Sequence, residues 1–264
     1  MRYDFALSLV DYRESFLKVP NTITQGGAQL ERIIFPHQSK TGGTSINKAL
    51  ISMVGRDHIF LDTDRRRENE KVRLVQAFNN FVEPYRSYSE RADYALILGH
   101  FSPFKYRRTF PDAFYMTFYR DPLQQFISLY HFWKRSPVGT NPVQKKLVEE
   151  NMNLISFGKI LLTTGRNKRK AKRFSVDQFD FVGITEEFDS SVHLLRERWL
   201  PHLPVVVEPS RVNPDKAVHH RYTLDEETRE FLAHRLRRQI RIYEQAVDRF
   251  KKDLQGALPA RDPA

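Results

Sequence analysis

Short apolar runs alternate along this chain with stretches of helical periodicity. "IIF" (33–35), "ALILG" (95–99), "AFYMTFY" (113–119) and "FDFVGI" (179–184) are each closed by glycine or polar residues, and they read as short buried strands. The positions between them repeat with the period of a helix. Ile46, Leu50 and Ile51 follow the first run, an amphipathic stretch over 72–81 follows the charged loop "RDHIFLDTDRRRENEK", and Phe188, Val192, Leu195 and Trp199 follow the last run as a core-facing stripe. "PVVVEPS" adds a short strand, and "YTLDEETREFL" begins a long helix opened by Thr223, with acidic residues in its first turns. Strand and helix patterns in alternation, with no internal repeat, predict an α/β fold built on a mainly parallel sheet flanked by helices.

In such sheets ligands bind beyond the carboxyl ends of the strands. Lys40, His100 and Arg120 each follow a predicted strand end, and Pro122 stands where the first turn of a helix accepts proline. The segment after the first strand reads "PHQSKTGGTSINKAL". It is not the nucleotide-hydrolase loop G-x-x-x-x-G-K-[ST], because its lysine precedes the glycines. Gly42-Gly43 nevertheless predicts a tight turn, with Thr44 or Ser45 as the N-cap of the next helix. Strand, turn and helix N-terminus form an anion site: glycines allow close approach, free amides and the dipole attract negative charge, and Lys40 adds a cation.

Composition narrows the partners. The 264 residues carry 43 Lys+Arg against 32 Asp+Glu, a formal net charge of +11 that favours acidic partners. Without cysteine, disulfides and thiolate metal sites are excluded, and a cytoplasmic setting is compatible. Acidic and basic residues interrupt the apolar patch at the N-terminus, so no secretory leader or membrane span is expected. One domain over 1–264 suffices, with 1–25 as an N-terminal extension and 256–264 as a disordered tail. Between 166 and 173 six cations crowd together, Lys168, Arg169 and Lys170 among them, which suits either a solvated surface or a loop meeting a polyanion.

Two motifs carry a family resemblance. "HQSKTGGTS" is similar to the H-[IV]-P-K-T-G-G-T-S loop of the PAPS-dependent sulfotransferases, with Gln38-Ser39 in place of the usual Ile-Pro. "RDPLQQFISLYHF" resembles that family's R-D-P-x-x-R-F-x-S-x-Y segment, with Gln125 where arginine is common. "GHFSPF", "FDFVGITEEFDSSVHLL" and "YTLDEETREFL" extend the similarity, which is greatest toward carbohydrate sulfotransferases and their bacterial relatives. The resemblance implies a P-loop-like three-layer fold and transfer of a sulfonate group from PAPS to a hydroxyl, on a carbohydrate in most members, leaving PAP. It places the 5′-phosphosulfate on Lys40, Thr41, Gly42, Gly43, Thr44 and Ser45, and the 3′-phosphate on Arg120 and Ser128.

Lys40 then stabilises the leaving oxygen and His100 takes the acceptor proton. His37 is the next candidate for the base or for loop bracing, and with Lys168, Arg169 and Lys170 it makes up the candidate acceptor contacts. No His/Asp/Glu cluster has metal-ligand spacing, and this chemistry needs no metal. Signatures of nucleic-acid binding are absent. The rival class is a non-catalytic protein binding a polyanion or nucleotide; a nucleotide kinase would need a glycine-rich loop and a magnesium-binding acid that the sequence does not offer.

Overall fold

A computed structural model of the chain describes residues 22–25, 28–63, 94–107, 109–162, 175–204 and 222–256. Its centre is a five-stranded, all-parallel sheet. The strands are β3 (Ile33–Pro36), β4 (Ile59–Thr63), β5 (Leu96–His100), β6 (Phe114–Tyr119) and β7 (Phe181–Ile184), in the order β4-β5-β3-β6-β7. Helices α1 (Gly43–Val54), α2 (Phe104–Arg107), α3 (Pro122–Arg135), α4 (Pro142–Glu149), α5 (Leu154–Leu161), α6 (Phe188–Arg198) and α7 (Glu226–Leu254) surround it. The expected α/β architecture is therefore present.

The apolar runs become strands because both sheet faces are covered. Ile33, Ile34 and Phe35, Leu96, Ile97 and Leu98, and all of β6 are buried, and each large side chain so buried contributes about 1.5–3 kcal/mol. Asp121 accepts from the amides of Leu123 and Gln124 and caps α3, with Pro122 in the first turn as expected. α7 spans 29 residues and serves two cores. Leu232 and Leu236 pack with Phe126, Tyr130 and Phe157, whereas Ala246 and Phe250 join the cluster around the sheet.

Three expectations change. Ile59–Thr63, read as part of a charged loop, is the edge strand β4; it has one neighbour, β5, its short apolar run Ile59, Phe60 and Leu61 stands between charged residues, and Leu61 stays 63% exposed. α1 is capped by neither Thr44 nor Ser45: Gly42 occupies the N-cap position in left-handed conformation, and no side chain caps the helix. α7 is opened by Asp225, which accepts from the amide and hydroxyl of Thr228, rather than by Thr223. Ahead of the sheet, Thr22–Gln25 pairs antiparallel with Ala28–Glu31, giving β1 and β2. The expected helix over 72–81 and the basic segment 166–173 lie outside the described residues, as do the expected strand 204–210 beyond Pro204 and the expected tail 256–264 beyond Gly256.

Strand order fixes where a ligand can sit. From β3 the chain crosses to β4 at one edge, and from β6 it crosses to β7 at the other, so connections diverge between these two neighbours. That divergence opens a crevice at their carboxyl ends. The segment 37–42 leaves β3 there, and Arg120 leaves β6.

Candidate anion-binding and proton-transfer site

The loop after β3 has one saturated side. The Thr41 hydroxyl donates to the Gln38 carbonyl (2.9 Å), the Gln125 side-chain amide to Ser39 (2.8 Å), Arg120 Nη1 to Lys40 (3.0 Å), the Thr185 hydroxyl to Thr41 (3.1 Å) and the Ser45 amide to Gly42 (3.1 Å). Five consecutive carbonyls are thus satisfied. The amides of Thr41, Gly42, Gly43 and Thr44, by contrast, meet no hydrogen-bond acceptor among the described residues. Unsatisfied amides at a helix start, with no acidic residue in the first turn, are what an anion needs.

Backbone conformation produces this polarity. Lys40 lies at φ +71° and Gly42 at φ +79°, so left-handed residues recur within the loop, the kind of backbone from which anion-binding nests are built. For lysine this conformation costs roughly 1–2 kcal/mol, offset by the hydrogen bonds that hold the loop. The Lys40 ammonium rests over the Phe132 ring, 4.4 Å from its centroid. Thr41 and Ser45 are buried, whereas Thr44 is exposed. Gly43 is the close contact: a Cβ there would lie 2.5 Å from His37 Cδ2.

The two histidines sit together. Their ring centroids are 4.4 Å apart, and His37 also stacks on Phe35 at 5.0 Å. His37 is buried, and burial, followed by the charge of His100, lowers its pKa to about 4. It is therefore neutral near pH 7. His100 is exposed, with Nδ1 3.0 Å from the His37 carbonyl. A carbonyl only accepts, so Nδ1 carries the proton and Nε2 keeps its lone pair, the tautomer a base requires. The backbone beneath is tight: Gly99 has φ +151°, and a Cβ there would meet the Asp62 carbonyl oxygen at 1.8 Å.

Arg120 is buried behind the loop. Its Nη1 holds the Lys40 carbonyl, and its Nε lies 3.8 Å from Glu186 Oε1. Glu186 in turn accepts from the Asp121 amide (3.2 Å) and from the Tyr243 hydroxyl (3.0 Å). Burial pushes Glu186 above the usual carboxylate range, opposed by those two hydrogen bonds and by the Arg120 charge; burial also lowers Arg120, opposed by Glu186. Ser128 is buried on α3 and makes no hydrogen bond to the loop among the described residues.

The structure thus gathers Lys40, Thr41, Gly42, Gly43, Thr44, Ser45, His37, His100 and Arg120 around one loop and leaves Ser128 nearly two turns along α3, while Lys168, Arg169 and Lys170 lie outside the described residues. Sequence reasoning missed Gln125 and Thr185 as partners of the loop, and Glu186 and Tyr243 as the groups that hold Arg120 and the start of α3. Only Gln125 carried a signal, as the position where the motif departs from its usual arginine.

No protein-family model matches the chain, and no curated protein matches it. A solved structure is similar. It is a sulfotransferase from Alicyclobacillus acidocaldarius, 16% identical, with 80% of this chain and 95% of that chain covered and a TM-score of 0.39. A likeness at that level carries no argument about activity. Among the described residues, no group of three or more His, Asp or Glu could hold a metal, and no helix is long and apolar enough to cross a membrane.

Proposed function

We propose that the protein is a PAPS-dependent sulfotransferase acting on a hydroxyl of a carbohydrate. The observation that carries this reading is the hydrogen bonding of the loop after β3: its five carbonyls are satisfied, while four of its amides at a helix N-terminus meet no acceptor among the described residues. The motifs resembling the sulfotransferases supply the donor, since a loop of this kind would hold its 5′-phosphosulfate.

Transfer is an in-line displacement. The acceptor oxygen forms a bond to sulfur while the bond from sulfur to the bridging oxygen breaks, and its electron pair stays on PAP. The open amides and Lys40 stabilise that developing charge, in the way that phosphoryl transfer relies on positioning and electrostatics. The acceptor proton passes to Nε2 of His100, whose Nδ1–H is engaged by the His37 carbonyl. Arg120 and Ser128 receive the 3′-phosphate, and 166–173 meets the acceptor or the nucleotide. A thermal-shift titration tests the donor. PAP should stabilise the protein well beyond AMP, by about 2.7 kcal/mol at a hundred times its Kd, because AMP lacks the 3′-phosphate. Equal shifts with AMP and PAP would remove the basis for this donor.

A further inference from the structure

The carbonyls of the anion loop are held by side chains from outside it, and two of these belong to no assigned role. Gln125, in the first turns of α3, donates to the Ser39 carbonyl at 2.8 Å across 86 residues of sequence. Thr185, in the turn after β7, shares its one hydroxyl proton between the Tyr119 carbonyl at 2.9 Å and the Thr41 carbonyl at 3.1 Å, the latter across 144 residues of sequence, and so ties the loop to the end of β6. Between them Arg120 holds Lys40. Three successive carbonyls, those of residues 39, 40 and 41, are therefore drawn toward the β6–α3 and β7–α6 connections.

A peptide plane is rigid, so fixing a carbonyl fixes the amide that follows it. The carbonyls of Ser39, Lys40 and Thr41 share planes with the amides of Lys40, Thr41 and Gly42. A donor on the first group therefore aims the second. The loop has particular need of such restraint, because Lys40 occupies a left-handed conformation and the residue before it is serine, which does not restrict the backbone as proline does.

We infer that Gln125 and Thr185 are positioning residues: Thr185 clamps the carbonyl whose peptide plane carries the open Gly42 amide, Gln125 holds the plane that leads into the left-handed turn at Lys40, and together they pre-orient the following amides that receive the anion. This rests on the proposed function only for the identity of the anion. Neither residue is placed on the ligand; each acts through the backbone. Preorganisation of this kind raises affinity by removing an ordering cost from binding.

The test uses the full chain and two probes, PAP and inorganic sulfate, followed by calorimetry and thermal shift. Gln125→Leu and Thr185→Val remove the donors at nearly constant volume, while Gln125→Arg and Thr185→Ser keep a donor in place. Each donor-less variant should bind PAP about three- to tenfold more weakly, the loss of one hydrogen bond's contribution, and the conservative variants should recover most of that affinity. A purely structural role would lower the melting temperature of the free protein in proportion and leave affinity untouched. Unchanged affinity in Gln125→Leu and Thr185→Val overturns the inference. If wild type ignores PAP yet responds to sulfate, and the variants lose that response, the clamp stands and the nucleotide assignment falls. A wild type that responds to neither anion overturns both.

Discussion

Gly43→Ala probes the contact that joins the anion loop to the histidine pair. A Cβ at this position lies 2.5 Å from His37 Cδ2 and 2.7 Å from Nε2, distances that real side chains do not tolerate. The ring has little room to retreat: Phe35 stacks on it at 5.0 Å, His100 lies 4.4 Å away, and the side chain is 8% exposed. Overpacking of this kind costs about 1–3 kcal/mol. Exchanging glycine for alanine at the start of α1 returns at most about 1 kcal/mol of helix propensity, so the net loss should be about 1–2 kcal/mol. In a His37→Ala background the space is open, and Gly43→Ala should cost nothing or stabilise slightly. Urea denaturation of the wild type, both single variants and the double variant gives the coupling energy directly, expected near 1–3 kcal/mol. Additivity within about 0.5 kcal/mol would refute the reasoning, because two residues in steric contact cannot act independently.

The other predictions concern protons and chemistry. His37 has a folded pKa of about 4 against an ordinary 6.5, so the unfolded chain binds the proton more readily; stability should be intact above pH 6.5 and fall as pH drops toward 4, by about 3 kcal/mol in all. Denaturation midpoints from pH 7.5 to 4.5 in wild type and His37→Phe should diverge in that window, and parallel curves would remove His37 as the titrating group. His100→Ala should leave PAP affinity nearly intact while turnover falls by roughly two to four orders of magnitude; near-normal turnover would shift the base to another group, with His37 tested next. Lys40→Ala should weaken both PAP binding and turnover, and a change confined to one of them would contradict its double role.

The sequence by itself determined the layer structure and the chemistry of the loop. Runs such as Ile33, Ile34 and Phe35 can satisfy their backbone and bury both faces only inside a parallel sheet, and the glycines of "KTGGTS" permit left-handed turning next to a helix start. Lys40, His100 and Arg120 were legible because strand ends can be read from where apolar runs stop. β4 was not, because its three apolar residues, Ile59, Phe60 and Leu61, lie within a strongly charged stretch, and an edge strand with one neighbour leaves Leu61 exposed rather than buried. Tertiary structure alone decided what holds the loop. The contacts of Gln125 with Ser39, Thr185 with Thr41 and Tyr243 with Glu186 span 86, 144 and 57 residues. Local periodicity records which face of an element is buried; it carries no record of which carbonyl a buried or half-buried polar side chain will meet once strands and helices have been brought side by side.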